Sequence, residues 1–286
     1  MWVPGRPQLM ASHDEGRQRL LAARFATANF STEQAFSARV FRVGDLGERI
    51  ARDFTWSKVR VSESSCCWSI FAVMVDWNEI RKKFPVTERV AYLNSAAAGP
   101  LSVASQAAAA GYYEKMMRDG DVHWNRWLAD REGVRQKVAD YINAEPEEIA
   151  FTTNTSQGMN VIVDALEDRG EVISSELEFP VTTLPWMHRR IPVHLLKAVA
   201  GEVRVEDVGD AMSDKTAVIA LSHVQFSNGC RIDPTAFGEI KGRHALVINA
   251  SQSAGAFAID VKEMKIDALC ATGHKWLLSG YGSGFV

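Results

Sequence analysis

The chain has 286 residues, enough for one large domain or two modest ones, and its composition is that of an ordinary soluble globular protein. Its 32 basic and 35 acidic residues give a net charge of −3, which argues against a nucleic-acid partner because that would need a basic face. No apolar run is long enough to span a bilayer, so we expect no membrane partner either.

The four cysteines, Cys66, Cys67, Cys230 and Cys270, lack the CxxC or Cys/His spacing that is typical of a metal site. We therefore predict reduced thiols, a cytoplasmic protein and no bound metal. Cys230 follows an Asn-Gly pair, and it either lies near a site or is a buried structural thiol, which is the interpretation we prefer.

The first part of the chain differs from the rest. Residues 1–73 are arginine-rich with weak periodicity, and we predict that they form a poorly ordered extension outside the fold. Several acidic residues in this segment argue against a transit peptide. Residues 74–286 open with MVDWNEIRKKFP, which looks like a natural protein start, and carry the regular pattern of a single large domain.

From residue 76 onward, short apolar runs alternate with segments of helical periodicity. The predicted strands are VAYLNSA (90–96), EIAFTT (148–153), EVISSE (171–176), VHLLKA (193–198), TAVIALSHV (216–224), ALVINA (245–250) and DALCAT (267–272). The predicted helices are 102–120, 123–144, 156–166 and 234–242. This alternation predicts an α/β fold in which a mostly parallel sheet has helices on both faces. Ligands bind such sheets at the carboxyl ends of the strands, so the residues that follow each strand are the candidates for a site.

Polar or aromatic residues follow several of these strands. Thr155 and Ser156 open a helix and suit a phosphate, although threonine and serine also cap helices routinely. Phe179 is placed to stack on a flat ring or to fill the core. The end of one strand brings Gln225 and the end of another brings Asn249. The residues alone leave these alternatives open.

Lys275 follows the last predicted strand, between His274 and Trp276. A lysine at the mouth of a partly apolar cleft has a lowered pKa and becomes a nucleophilic amine, which forms Schiff bases with aldehydes. The glycines nearby do not indicate a nucleotide site. GYGSG (280–284) does not fit GxGxxG, and GHKWLLSG (273–280) lacks the order of a phosphate-binding P-loop.

Six motifs in this part of the chain, in this order, resemble the class V aminotransferase family of pyridoxal-phosphate enzymes, which includes cysteine desulfurases and selenocysteine lyases. They are YLNSAAAGP, FTTNTSQGMN, ELEFP, SHVQFSNG, INASQSAG and ATGHKWLLSGYGSGF. The likeness covers roughly residues 76–286. It implies the large domain of fold type I, pyridoxal 5′-phosphate as cofactor, a small amino acid as substrate and a homodimer. It also implies that the C-terminal small domain is missing.

The resemblance implies roles for the residues that hold the cofactor. Lys275 would form the internal aldimine and later move the substrate α-proton. The residues that would bind the cofactor phosphate are Thr155, Ser156, Thr272 and His274.

Further residues would surround the cofactor ring and the substrate. Phe179 would stack on the ring, Gln252 would contact the phenolic oxygen, and Gln225 would lie in a loop near that oxygen. Ala97 and Gly99 match a loop that lines the substrate pocket.

One matching position departs from the family pattern. Asn249 stands where an aspartate usually pairs with the protonated pyridine nitrogen. Asparagine carries no charge, so we expect turnover by way of a full carbanion to be slowed or abolished while the cofactor still attaches. The leading prediction is therefore a transaminase, or a desulfurase- or lyase-type enzyme. The alternative is a catalytically impaired relic or a regulatory cofactor-binding subunit. A nicotinamide-dependent domain would need a glycine fingerprint that is absent from the sequence.

Overall fold

The computed structural model describes residues 76–286, so the extension predicted for residues 1–73 lies outside the described part of the chain. The strands of this part are β1 Phe151–Thr152, β2 Glu171–Ser175, β3 Val193–Leu196, β4 Thr216–Ser222, β5 Ala245–Asn249, β6 Ala268–Thr272 and β7 Gly284–Phe285. Its α-helices are α1 Trp77–Lys82, α2 Val103–Asp119, α3 Trp124–Ile142, α4 Thr155–Leu166, α5 Pro180–His188, α6 Val205–Ala211 and α7 Pro234–Ile240. Two short 3-10 helices span Pro85–Glu88 and Pro146–Glu148.

The strands form one sheet in the order β1-β7-β6-β5-β4-β2-β3. The strands from β6 to β3 in this order run parallel, whereas β7 is antiparallel to both β6 and β1. Only a short loop, residues 273–283, joins β6 to β7, and a parallel pair would need a crossover of a dozen residues or more. The predicted fold class, a mostly parallel sheet of an α/β protein, is therefore confirmed.

The central strands are buried on both faces, which explains their continuous apolar sequences. Because successive side chains point to opposite faces, each strand contributes to two separate cores. Ile219 and Leu246 pack in one cluster of buried residues, and Val218 and Val247 pack in the other. The doubly covered strands hold the residues that follow them rigidly at one edge of the sheet.

Helix α4 packs closely against the end of β6. Its glycine, Gly158, allows this approach because a Cβ there would lie 3.0 Å from the Cβ of Cys270 on β6. The amino terminus of α4 therefore lies close to the carboxyl end of β6, and residues of both ends line one cleft.

The structure corrects the prediction for residues 90–96, which form a loop with no strand. The segment begins with a short apolar run, but Leu93 in this run is 90% exposed, so the run is not buried as a strand of the sheet would be. Helices α5 and α6 were not predicted. Helix α5 begins with Pro180 at its first position, where the fixed proline φ favours helix, and it carries a second proline, Pro185, in its interior.

Within residues 76–286, no helix combines the length and the apolar character that a membrane span requires.

Candidate active site

A cleft opens at the carboxyl ends of β4, β5 and β6, beside the amino termini of α4 and α5. It is lined by Asn154, Thr155, Ser156, Phe179, Val181, Ser222, Val224, Phe226, Asn249, Ser251, Gln252, Thr272, His274 and Lys275. The structure thus brings together eight of the residues predicted for the site, and they come from four separate segments of the chain. This is the edge at which parallel sheets bind their ligands.

One end of the cleft is suited to an anion. The side chain of Asn154 caps α4 by accepting a 2.9 Å hydrogen bond from the backbone N–H of Gln157. Thr155 and Ser156 occupy the first turn, where backbone N–H groups lack helical partners and the helix dipole is positive. The hydroxyl of Thr155 lies 2.6 Å from that of Ser251, which fixes it at the cleft wall. Because Asn154 serves as the cap, this turn offers free donors of the kind that bind phosphate.

The opposite wall of this end comes from the segment after β6. The hydroxyl of Thr272 lies 2.7 Å from Nδ1 of His274, so the orientation of the imidazole is fixed. The ring of Tyr281 stacks on His274 at a centroid distance of 4.5 Å and an angle of 16°. Burial, with a smaller contribution from the charge of Lys275, lowers the pKa of His274. At neutral pH the imidazole therefore acts mainly as a hydrogen-bonding group.

Lys275 reaches into the middle of the cleft. It forms no salt bridge with any residue of the described part, and burial lowers the pKa of its amine, as predicted from the sequence. Its Nζ lies 5.8 Å from the ring centroid of Phe179. Phe179 contacts Phe226 edge to face at 5.1 Å, so the two rings form an aromatic wall beside the amine. A half-buried, unpaired amine beside a flat apolar surface is the arrangement of a nucleophilic lysine.

Hydrogen bonds fix the two amide side chains of the cleft. The Asn249 amide nitrogen donates to Thr182 Oγ1 at 3.0 Å, and its oxygen accepts from the backbone N–H of Ser251 at 3.0 Å. Gln252 is fixed in turn by the indole N–H of Trp276, which donates to its oxygen at 2.9 Å, and by the carbonyl of Ala96. The second contact joins the cleft to the loop at residues 94–99.

The predicted residues of that loop lie beside the cleft rather than in its lining. The backbone N–H of Gly99 donates to the carbonyl of His274 at 2.8 Å, which holds the loop against the lysine segment. A Cβ at Gly99 would overlap the carbonyl of Lys275, so only glycine permits this approach. Ala97 lies in the same turn, where its N–H donates to the carbonyl of Asn94.

Gln225 is not among the residues that line the cleft, although it lies between Val224 and Phe226, which both line it. Its side chain is buried, and its amide nitrogen donates to a carboxyl oxygen of Glu178. Its backbone pairs with Cys230 across a tight loop, which turns the side chain away from the open edge. Cys230 is only partly buried and is not part of the cleft lining, and burial raises the pKa of its thiol.

The sequence interpretation missed Glu178, which directly precedes Phe179. Its side chain is only 7% exposed, and its pKa is raised by burial. One carboxyl oxygen accepts from the backbone N–H of Ser222 at 2.7 Å, and the other accepts from the hydroxyl of that residue. A carboxyl at the end of an apolar strand was the available signal, since such groups are rarely buried without a role.

Comparison with known proteins identifies related sequences. A family model described as aminotransferase class-V matches residues 91–286. The uncharacterized aminotransferase YcbU of Bacillus subtilis is 29% identical over 213 residues, which are 73% of this chain and 57% of that protein. A probable cysteine desulfurase of Methanothermobacter thermautotrophicus is 28% identical over 223 residues and is covered to 55%. The chain thus spans a little over half the length of the curated relatives it matches.

Comparison with solved structures also identifies a cysteine desulfurase and a related lyase. A cysteine desulfurase from Thermococcus onnurineus superposes with a TM-score of 0.65 at 26% identity, over 74% of this chain and 56% of that chain. The cystine C-S lyase C-DES, solved in complex with cysteine persulfide, superposes with a TM-score of 0.66 at 21% identity, over 71% and 58% of the two chains. The second likeness supports the fold alone.

Proposed function

The chain belongs to the aminotransferase class-V family, and on that premise we propose that it is a pyridoxal 5′-phosphate-dependent enzyme acting on a small amino acid. Pyridoxal 5′-phosphate, predicted from the sequence motifs, is the cofactor of this family. The proposed reaction is amino transfer or cleavage of the desulfurase or lyase type. The observation that carries the proposal is Lys275, an unpaired amine of lowered pKa in a cleft with an anion-binding end. A homodimer and a cytoplasmic location remain predictions.

The donor set of the cleft fits this cofactor. Thr155 and Ser156 at the start of α4, with Thr272 and His274 opposite, would hold the phosphate. Phe179 would cover one face of the ring. The aldehyde would lie at Lys275, and the amides of Asn249 and Gln252 would form hydrogen bonds with the polar atoms of the ring.

When bound, pyridoxal 5′-phosphate withdraws electrons from the α-carbon of an amino acid and so weakens the bonds at that carbon. The residues of this chain supply position and proton movement. Lys275 would hold the aldehyde group of the cofactor, and burial makes its amine more nucleophilic because it increases the neutral fraction. Nζ of Lys275 would also be the group that accepts the α-proton of the substrate.

Asn249 favours a second candidate function, a cofactor-binding protein with little or no turnover. Its side chain is only 4% exposed and is hydrogen-bonded on both sides, and it brings no charge to the cleft. A neutral amide would not hold a proton on a ring nitrogen, so carbanion formation would be weakened. The two candidates differ in turnover and share the attachment of the cofactor.

Two measurements test the proposal. Titration of the protein with pyridoxal 5′-phosphate should give a visible absorbance band that is lost in Lys275→Ala and kept in Lys197→Ala, which removes an exposed lysine. Incubation with a panel of small amino acids in deuterated water should then give exchange at the α-carbon, measured by mass spectrometry. If none of the amino acids shows exchange, the non-catalytic candidate is favoured. The absence of the absorbance band would refute both candidate functions.

A further inference from the structure

The aromatic wall of the cleft, Phe179 and Phe226, is half open. The two residues are 45% and 47% exposed, although both line the cleft and their rings contact each other edge to face. Val224, two positions before Phe226, lines the cleft as well and extends its apolar surface. Because nearly half of each aromatic residue is uncovered in the described part of the chain, a ligand in the cleft can bury this surface.

The cleft offers no free charge beside this wall. Within residues 76–286, the ionisable side chains that line the cleft are His274 and Lys275, and no carboxylate is among them. Lys275 would hold the aldehyde of the cofactor and His274 its phosphate, so neither is left for a charged side chain of the substrate. Ser222, at the end of β4, donates its hydroxyl to Glu178. A hydroxyl buried against the phenyl rings would therefore lose its hydrogen bonds to water without replacement from the rings.

The wall is within reach of a substrate that reacts at Lys275. A substrate that gives its α-proton to Nζ must bring its α-carbon close to that atom. Nζ lies 5.8 Å from the centre of the Phe179 ring, and Phe226 extends the wall by one further ring at 5.1 Å. Because Phe179 would face the ring of the cofactor, Phe226 is the part of the wall that is left for the substrate side chain.

We infer that Phe226 is a specificity-determining residue, through which the cleft prefers amino acids whose side chain ends in an apolar group over those that end in a hydroxyl or a charge. This inference rests on the proposed function and narrows its substrate class. An alkyl group that covers the ring removes apolar surface from water, whereas a hydroxyl in the same place is left without a partner. Enclosed apolar sites distinguish an alkyl group from a hydroxyl of the same size by about a hundredfold, and a half-open wall should do so more weakly.

The test compares two probes that differ only at the end of the side chain. Phosphopyridoxyl-L-norvaline ends in a methyl group and phosphopyridoxyl-L-homoserine ends in a hydroxyl, and both are reduced, unreactive conjugates of the cofactor with an amino acid. The full chain, freed of bound cofactor, is dialysed against an equal mixture of both in excess, and the retained conjugates are quantified by mass spectrometry. The wild-type protein should retain at least about fivefold more of the norvaline conjugate.

Variants then assign this preference to Phe226. Phe226→Asn should lower the ratio of retained norvaline to homoserine conjugate to below about twofold, because its amide can pair with the hydroxyl. Phe226→Leu keeps an apolar surface and should keep the ratio. Phe257→Asn should keep it too, since Phe257 is 38% exposed and lies outside the cleft lining. Both conjugates compete in one sample, so a loss of stability lowers both amounts and leaves their ratio unchanged.

The outcomes for the inference and for the proposed function are separate. Equal retention by the wild-type protein, a preference for the homoserine conjugate, or a ratio that Phe226→Asn lowers no more than Phe257→Asn does overturns the inference. Retention of neither conjugate, while pyridoxal 5′-phosphate still attaches to Lys275 after borohydride reduction, also overturns it, and in all these cases the proposed function stands. Failure of pyridoxal 5′-phosphate to attach to Lys275 overturns the proposed function, and the inference with it.

Discussion

Removal of the Glu178 carboxyl should destabilise the protein by about 2–4 kcal/mol, even without any cofactor. In Glu178→Ala, the backbone N–H of Ser222 and the amide of Gln225 lose their shared acceptor in a buried site. Each buried donor left unsatisfied costs about 1–3 kcal/mol, and the lost desolvation of the carboxyl offsets part of the sum. Urea unfolding at pH 7, followed by circular dichroism, measures the difference in the free energy of unfolding.

Glu178→Gln is the matched control for this prediction. Both donors converge on one carboxyl oxygen, which the glutamine oxygen can replace, while its amide nitrogen faces the hydroxyl of Ser222, which can rotate to accept. We expect this variant to lose less than about 1 kcal/mol. If Glu178→Ala unfolds within about 0.5 kcal/mol of the wild type, the reasoning about the buried network is refuted.

A comparison of the wild type with Glu178→Gln also tests the raised pKa of Glu178. Because burial raises this pKa in the folded state, the folded protein holds the proton more tightly than the unfolded chain does. The contribution of Glu178 to stability is therefore fully present below the usual pKa of 4.5 and is lost as the pH rises through the folded value. The stability of the wild type relative to Glu178→Gln should fall as the pH rises above 4.5, and a constant difference would contradict the shift.

Three further predictions concern the cleft. Gly99→Ala should cost about 1–3 kcal/mol of stability in urea unfolding, because the added Cβ overlaps the carbonyl of Lys275. Gly111→Ala, whose Cβ meets only open space on α2, should cost nothing and so serves as the control. Asn249→Asp should raise the rate of α-deuterium exchange at least tenfold, because the restored charge favours a protonated ring nitrogen. A tenfold change in rate corresponds to about 1.4 kcal/mol in the activation free energy. An unchanged rate would refute the role assigned to Asn249. The rate of cofactor attachment, followed by stopped-flow absorbance, should rise with pH because only the neutral amine of Lys275 reacts. The midpoint of this rise should lie below 10.5, the usual lysine pKa. A midpoint at 10.5 would refute the lowered pKa of Lys275.

The sequence predicted the elements whose signal is local. Strands β4 and β5 are covered on both faces, so their continuous apolar runs were sufficient to identify them. The cleft followed from the rule that the ends of parallel strands meet at one edge, which placed Asn249 and Lys275 together although they lie 26 positions apart in the sequence.

Contacts between distant segments could not be predicted in this way. Residues 90–96 begin with the short apolar run of a strand, yet a strand needs a partner strand, and the sequence alone does not show whether one is available. Gln225 follows a strand as the site residues do, but its side chain turns toward Glu178, which is 47 residues away in the sequence. Both hydrogen-bond partners of Glu178, Ser222 and Gln225, lie at the end of β4 and in the loop after it, which Glu178 meets only in the folded protein.

The most direct test of the account is to locate the covalent attachment of the cofactor. Purified protein is mixed with pyridoxal 5′-phosphate, reduced with borohydride, digested and mapped by mass spectrometry. The account predicts a pyridoxyl group on Lys275, with the exposed Lys197 left unmodified at the same cofactor concentration. Unmodified Lys275, or labelling spread evenly over exposed lysines, would contradict the claim that this cleft is built to hold the cofactor.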